Sequence, residues 1–299
     1  MKKEKKLITY LTCTYNRKDN LKKLYASLAA QSVNNFKWLV VDDGSQDGTD
    51  VFFEDLKKKA IFPICYLKKE NGGKHRAINY SIEKLNTPLT MIIDSDDWLT
   101  KDCSKIIGKY WKKYNDVSSI GSFTFERGRS TENDPMVRIS TEIVAPRFEY
   151  IEKNNMYGDF NDVFFTKVLK KYRLPEFKGE KFISESPLYF EISRHYNTVF
   201  INKVIAIGDY RDDGLTKNIR ELQVKNYKGT LFTLKQMLST NYFTFGKLKH
   251  AILYDYVAIA SKASLVKSIT DSGNVVLTSL CVLPSMLFLL KDKIEKYFN

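Results

Sequence analysis

The chain has 299 residues, 43% hydrophobic and 28% charged, proportions of an ordinary globular protein that exclude a collagen, a coiled coil or a disordered chain. That length suits one large domain with an extension or two small ones, and it buries a core without covalent staples. Four cysteines, Cys13, Cys65, Cys103 and Cys281, form no CxxC pair, which excludes a disulfide framework and argues against zinc, while 48 Lys and Arg against 35 Asp and Glu leave a net charge of +13.

The first hundred residues alternate strand and helix signals. Leu7–Thr12 reads as a strand, and Lys18–Ala30 as a helix with Leu21, Leu24, Tyr25 and Leu28 at helical spacing. Phe36–Val41 is a strand, and Thr49 can cap a helix from Asp50 to Lys59. Pro63–Leu67 reads as a short strand, Lys74–Leu85 as a helix, and Leu89–Ile93 as a strand opened by Pro88. Such alternation predicts βαβ units and a parallel sheet. Ligands of these sheets bind at the carboxyl ends of the strands. The polar clusters fall there: Thr14-Tyr15-Asn16, Asp42-Asp43, Asn71 to Arg76, and Asp94 to Asp97. Four loops on one sheet edge outline a single site.

The second half is less regular. Ser118–Phe125 reads as a strand, Glu126–Pro146 as a polar loop or flap, and Asp159–Lys171 as helical by spacing. Ser186-Pro187 is a helix start, with Ser186 as cap and the helix running to His195. Val199–Ile207 is a strand, and Arg220–Leu238 and Gly246–Lys267 are helices. Val275–Leu290 then gives 16 residues without a charge, short of the roughly 20 a spanning helix needs, with Pro284 in its middle. It reads as a buried or interfacial segment. The expected division is a main domain over 1–215, with halves at 1–100 and 101–215, and a helical extension over 216–299.

The excess charge lies partly in that extension: from Leu215 to Asn299 there are 12 Lys or Arg and 5 Asp or Glu, a net of +7. No zinc-finger spacing or RNP-like aromatic run accompanies it, so no nucleic-acid partner is expected. Lipid head groups and diphosphates are the better anionic partners. Lys291, Lys293 and Lys296 follow the apolar run, the pattern of a peripheral contact with anionic membrane. The charged start, Met1 to Lys6, lacks the long apolar stretch of a secretory leader, so the expected location is the cytoplasm, at the inner face of the cell membrane.

Three motifs carry chemistry. Asp94-Ser95-Asp96-Asp97 places three carboxylates in four residues, which repel unless a cation sits among them. Hard divalent ions, Mn²⁺ or Mg²⁺, favour such oxygens together with substrate phosphates, so Asp96 and Asp94 are the candidate metal ligands. Asp42-Asp43-Gly44-Ser45 offers carboxylates to a base N–H or a ribose hydroxyl; a turn that only caps the next helix is the plainer alternative. Asn71-Gly72-Gly73-Lys74-His75-Arg76 combines flexible backbone amides with cations before a helix, which suits a diphosphate. It lacks the P-loop spacing, and His75 reads as structural.

In order and spacing together, Thr14-Tyr15-Asn16-Arg17, Val40-Val41-Asp42-Asp43-Gly44-Ser45 with Asp47 and Thr49, Asn71-Gly72-Gly73 with Ala77 and Asn79, and Asp94-Ser95-Asp96-Asp97 resemble family 2 glycosyltransferases of the GT-A fold, of the bacterial surface-polysaccharide type. The resemblance covers about residues 7–100. It implies a Rossmann-like, mostly parallel α/β sheet flanked by helices, with a C-terminal helical extension. It implies inverting transfer of a sugar from a nucleotide diphosphate sugar, UDP-linked, to a hydroxyl of a glycan or polyprenyl-diphosphate-linked acceptor. The implied donor-binding residues are Thr14, Tyr15, Asn16, Arg17, Asp42, Asp43, Asn71, Gly73, Lys74, Arg76, Asp94 and Ser95. Glu185, in Gly179 to Ser186, resembles the family's base, although Ser186 stands where an Asp is common. Glu180, in a Gly-Glu-Lys turn, is expected to be exposed, and Glu191 to lie inside the helix. Tyr210 to Leu215 resembles a late loop, which makes Arg211 and Asp213 candidate acceptor or diphosphate contacts. Cys13 replaces a common proline.

Two other readings compete. A sugar nucleotidyltransferase would carry a Gly-rich, Arg-containing loop after the first strand, where this chain has Thr14-Tyr15-Asn16-Arg17 without glycine. A non-catalytic basic protein bound to membrane surfaces would not need the acidic clusters.

Overall fold

A computed structural model describes residues 5–208 and 218–298. Within them the chain forms two compact units, one of residues 5–174 and 191–208, the other of 175–190 and 218–298.

The first unit is built on a sheet. β1 (Ile8–Thr14) is buried along its whole length. It pairs in parallel with β2 (Phe36–Asp42) and β4 (Leu89–Ile92), and β2 pairs in parallel with β3 (Ile64–Lys68). Continuous apolar strands such as Leu39-Val40-Val41 belong to parallel sheets covered on both faces. The crossovers run through α1 (Lys18–Ala29), α2 (Thr49–Lys59) and α3 (Lys74–Ser81), the last ending in a 3₁₀ turn at Ile82–Lys84. α1 buries Leu21, Leu24 and Leu28, as their spacing predicts. Trp38 on β2 packs against Tyr25 of α1 and Phe53 of α2. Thr49 does not cap α2: its N–H and hydroxyl both donate to Asp47, and Gly48, at φ 81°, precedes it.

The remaining elements are β5 (Trp98–Leu99), α4 (Cys103–Tyr114), β6 (Ile120–Gly128), β7 (Ile143–Ala145), α5 (Arg147–Lys153), β8 (Phe160–Phe165), α6 (Thr166–Leu169), α7 (Ser186–Ser193), which carries the chain between units, and β9 (Asn197–Ile207). The strand order is β3-β2-β1-β4-β8-β6-β9-β5, with β7 beside β9. β8 enters antiparallel between β4 and β6, so the parallel character holds for the first four strands and the rest is mixed.

Two sequence expectations fail here. Asp159–Lys171 is a strand and a one-turn helix, not a long helix. Its run Val163-Phe164-Phe165 is apolar without interruption, a pattern that periodicity cannot assign, and pairing on both edges decides for a strand. Glu126–Pro146 is not all loop: β6 runs to Gly128, and β7 forms near its end.

The second unit holds α8 (Ile219–Lys225), α9 (Tyr227–Leu238), α10 (Phe245–Ala260), α11 (Leu265–Asp271) and α12 (Val275–Phe298). The sequence predicts one helix where α8 and α9 stand. They break at Asn226, whose side-chain oxygen accepts from the N–H groups of Lys181 and Phe182. The helix expected over Gly246–Lys267 breaks after Ala260, where Lys262 adopts φ 60°. Leu234, Leu238, Ala251, Tyr254 and Cys281 form the core. Asp255 on α10 is fully buried, and neither of its carboxylate oxygens has a hydrogen-bond partner among the described residues. Burial pushes its pKa up to about 7. By length and composition α12 could cross a membrane, and most of it is not buried.

Candidate functional site

In the first unit the carboxyl ends of β1, β2 and β4 bring together the loops that carry Thr14 to Arg17, Asp42 to Gly48, Lys69 to Lys74 and Asp94 to Asp97. Side chains from one loop hold the backbone of the next. Asn16 adopts φ 50°; its N–H donates to Ser45 Oγ at 2.8 Å, and its side-chain oxygen accepts from Gln46 N at 2.8 Å. Asp47 accepts from Lys18 N at 2.9 Å, tying the start of α1 to the second loop.

Asp42 is wholly buried, with its carboxylate taken by Ser45 N at 2.7 Å and by the Tyr66 hydroxyl. That hydrogen bond to a carboxylate and, above all, burial hold the Tyr66 phenol above its ordinary range. Asp43 accepts four hydrogen bonds: Lys69 Nζ at 2.8 Å and Gly72 N at 3.0 Å on one oxygen, Asn71 Nδ2 at 3.2 Å and Gly73 N at 2.7 Å on the other. Four donors fill a carboxylate's acceptor sites. In this arrangement Asp43 shapes the glycine loop, and the Gly72 and Gly73 N–H groups face Asp43. Gly44 must be small as well as left-handed: at φ 89°, a Cβ on it would stand 3.0 Å from Asn71 N.

The acidic turn is arranged by two cations the motif does not contain. Lys74 Nζ lies 2.5 Å from Asp94 Oδ1, and its positive charge holds the Asp94 carboxyl below the usual carboxylate range. Arg127, on β6, grips Asp97 with two nitrogens, at 2.5 Å and 3.1 Å, and reaches Asp159 at 3.0 Å. Burial pushes Asp97 up, with Arg127 opposing. Gly208, at the end of β9, lets the pair form, because a Cβ there would lie 1.9 Å from Asp97 Oδ1 and 2.1 Å from Arg127 Nη2. Asp96 is half-exposed and has no ion pair among the described residues. The repulsion within the turn is therefore relieved at its two outer carboxylates by the protein itself.

A divalent cation fits what remains. No group of three or more His, Cys, Asp and Glu side chains forms a ready cage among the described residues. Mg²⁺-like ions bind through one or two carboxylates plus substrate phosphates, and Asp96, with Asp94 half-exposed beside it, offers that many. Around the site, Tyr15 is half-exposed, Ser95 and His75 are buried, and the Thr14 hydroxyl is buried with no hydrogen-bond partner among the described residues. Arg17 precedes α1, and an Arg76 guanidinium nitrogen donates to Gly72 O at 2.7 Å. Sequence reasoning missed Tyr66, Lys69, Arg127 and Gly208. Lys69 and Gly208 each lie two residues before a recognised motif, and Tyr66 and Arg127 carry no local signal.

Glu185 belongs to the second unit. Its carbonyl accepts from Leu188 N at 2.9 Å and Tyr189 N at 3.3 Å, so Glu185 takes the position before the first turn of α7 that was expected of Ser186. The preceding loop is clamped. Glu180 is buried, not exposed as its turn suggests, and its two oxygens accept from Lys228 N and Gly229 N, each at 2.9 Å, at the start of α9. Asn226 returns the contact to Lys181 and Phe182. Glu191 lies within α7 and pairs with Arg194 at 3.6 Å. Arg211 and Asp213 lie outside the described residues.

A sequence model described as Glycosyl transferase family 2 matches residues 9–173. Over 116 residues the chain is 27% identical to the glycosyltransferase GlyA of Streptococcus pneumoniae, covering 39% of this chain and 16% of that one. Over 167 residues it is 30% identical to the poly(ribitol-phosphate) beta-N-acetylglucosaminyltransferase TarS of Staphylococcus aureus, covering 52% and 29%. It thus spans less than a third of either curated relative. Among solved structures, residues 1–349 of the staphylococcal TarS in complex with UDP-GlcNAc superpose with a TM-score of 0.61 at 16% identity, over 85% of this chain and 72% of that one. The mannosyltransferase PcManGT of Pyrobaculum calidifontis, in complex with GDP-Man and Mn²⁺, gives 0.56 at 14% identity, over 96% and 81%. At these identities the structural likeness establishes the GT-A fold.

Proposed function

We propose, for a chain that belongs to glycosyl transferase family 2, that it moves a sugar from a UDP-sugar to a hydroxyl of a glycan or polyprenyl-diphosphate-linked acceptor, with inversion, at the cytoplasmic face of the membrane, in the synthesis of a bacterial surface polysaccharide. The observation that carries this reading is the acidic turn: Lys74 and Arg127 neutralise its outer carboxylates, and Asp96 between them has no ion pair among the described residues. The names of the relatives, which include polymer glycosyltransfer and a bound UDP-GlcNAc, support the donor and acceptor classes.

In this reading Thr14, Tyr15, Asn16 and Arg17 line the nucleoside pocket. Tyr15 stacks on the base, and the unsatisfied Thr14 hydroxyl finds a partner there. Asp43 and Asn71 keep the glycine loop open to the donor, with Asp42 bracing the turn beneath. Asp94, Ser95 and Gly73 border the ribose and diphosphate. Asp96, with Asp94 at the edge, would hold Mn²⁺ or Mg²⁺, which would supply Lewis-acid stabilisation of the leaving diphosphate. Lys74 and Arg76 add fixed positive charge on the same side. Glu185 removes the proton of the acceptor hydroxyl; the new C–O bond forms at the anomeric carbon as its bond to the diphosphate oxygen breaks. The catalytic domain is placed at 1–215, with the acceptor half at 101–215 and Arg211 and Asp213 as further acceptor or diphosphate contacts.

The test is a panel of nucleotide sugars scored for released nucleoside diphosphate, with Mn²⁺, with Mg²⁺ and with excess chelator. Release of UDP that stops on chelation is expected. Release of pyrophosphate would instead mark a nucleotidyltransferase, and no release from any donor by folded protein would refute the enzyme reading.

A further inference from the structure

Within the second unit α12 has two unlike faces. Its inner face is specific to the protein: Cys281 joins the core cluster, and Ser285 Oγ donates to Ile252 O at 2.9 Å. Farther along, the Phe288 ring meets Tyr256 edge-on at 5.6 Å, and Asp292 accepts from the Tyr256 hydroxyl and from Arg220. The outer face carries Val276, Leu280, Leu283, Leu287, Leu290 and Ile294, spaced alternately four and three residues apart and each more than half exposed. At 1.5 Å per residue this row is roughly 27 Å long. Single exposed leucines are ordinary, but a continuous apolar row of this size marks a contact surface.

We infer that the outer face of α12 lies on the surface of an anionic lipid bilayer, in the interfacial plane. Charge decides the occupant. The chain from Leu215 onward carries a net of +7, and Lys291 directly follows the uncharged run Val275–Leu290. An anionic head-group layer complements that charge. A second copy would bring the same charge against itself. It would also need charged residues flanking the seam, as paired helices have. Between Val275 and Leu290 there are none, and exposed Pro284 interrupts the row's border. Crossing the bilayer is disfavoured by the inner face, which would have to give up the Ser285, Tyr256 and Arg220 contacts. An apolar stripe bordered by lysines, with its other side committed to a folded unit, is the arrangement of an interfacial helix. Phe243, just before α10, and Phe245, its first residue, are both strongly exposed and add aromatic side chains of the type found at such interfaces.

This inference does not depend on the sugar-transfer reading, because vesicle binding requires no turnover. The full chain is floated with phosphatidylcholine vesicles and with vesicles that also contain phosphatidylglycerol. Co-flotation with the anionic vesicles is expected, weakened by salt. The double variant Leu280→Asp, Leu287→Asp should bind at least about tenfold less, because charge on the buried face of an interfacial helix opposes insertion. Both positions point away from the core, so its circular dichroism and thermal melt should match the parent; a single change, Leu283→Gln, provides a milder variant if they do not. Equal flotation of parent and variants would overturn the proposal. So would a parent that resists carbonate extraction, as a spanning helix does, or one that ignores vesicles but forms a dimer that the variant loses.

Discussion

The two units treat their buried carboxylates differently. In the first, Asp42, Asp43 and Asp97 each accept at least two hydrogen bonds, all from donors outside their own motifs or across the turn. In the second, Glu180 rests on two backbone N–H groups, and Asp255 has no hydrogen-bond partner among the described residues. A carboxylate gripped from several loops fixes those loops to each other. The first unit thus ties its loops into one edge, where Asp96 has no ion pair among the described residues. The second unit holds the loop before Glu185 through a reciprocal clamp, with Glu180 on the start of α9 and Asn226 on Lys181 and Phe182.

The largest effect should come where reactivity, not fold, is changed. Glu185→Gln keeps size and removes basicity, and kcat should fall about 10²–10⁴-fold while donor KM stays near its original value. If Glu185→Gln is near normal and Glu180→Gln or Asp213→Asn is not, the base lies elsewhere. Next comes the edge of the first unit. Gly208→Ala inserts a methyl group 1.9 Å from Asp97 Oδ1, which must part from Arg127. Breaking a buried ion pair costs about 3 kcal/mol, read as a lower urea midpoint with lost activity. An unchanged midpoint would mean that Arg127 does not organise the turn.

Much of that edge is legible in the sequence, because strand, turn and helix cap are local patterns. Asp42-Asp43-Gly44-Ser45 and Asp94-Ser95-Asp96-Asp97 announce themselves. What holds them does not. Tyr66 lies 24 residues from Asp42, and Arg127 lies 30 from Asp97. Only the fold brings these pairs together. The same limit explains Phe160–Phe165, where sheet pairing overrides an ambiguous apolar run, and Glu180, whose charged turn looks solvated until α9 presents its first N–H groups.

Smaller effects test the clamp. Glu180→Ala leaves Lys228 N and Gly229 N without their acceptor and should cost roughly 2 kcal/mol, with a rise in protease cutting near residue 180. Glu180→Gln, which still accepts, should cost less, and equal costs would show that packing matters more than the hydrogen bonds. Smallest is the effect of Asp255. Its folded pKa, pushed up to about 7 by burial, exceeds the unfolded value of about 4, so the folded state holds the proton more tightly. Stability is therefore highest below about pH 4 as far as this group is concerned, and falls as pH rises toward 7. Asp255→Asn should raise Tm by about 2–4 °C at pH 8, with the gain fading at acid pH. A gain independent of pH would show that titration of Asp255 is not its source.

The most direct test of the account is binding of UDP to the intact chain by calorimetry, with and without Mn²⁺, for the parent and for Asp96→Asn. The account assigns the outer carboxylates of the turn to Lys74 and Arg127 and leaves Asp96 to the metal and diphosphate. It predicts that Mn²⁺ strengthens UDP binding to the parent by about tenfold or more and that this gain disappears in Asp96→Asn, while metal-free binding is kept. An equal Mn²⁺ gain in both proteins would contradict it.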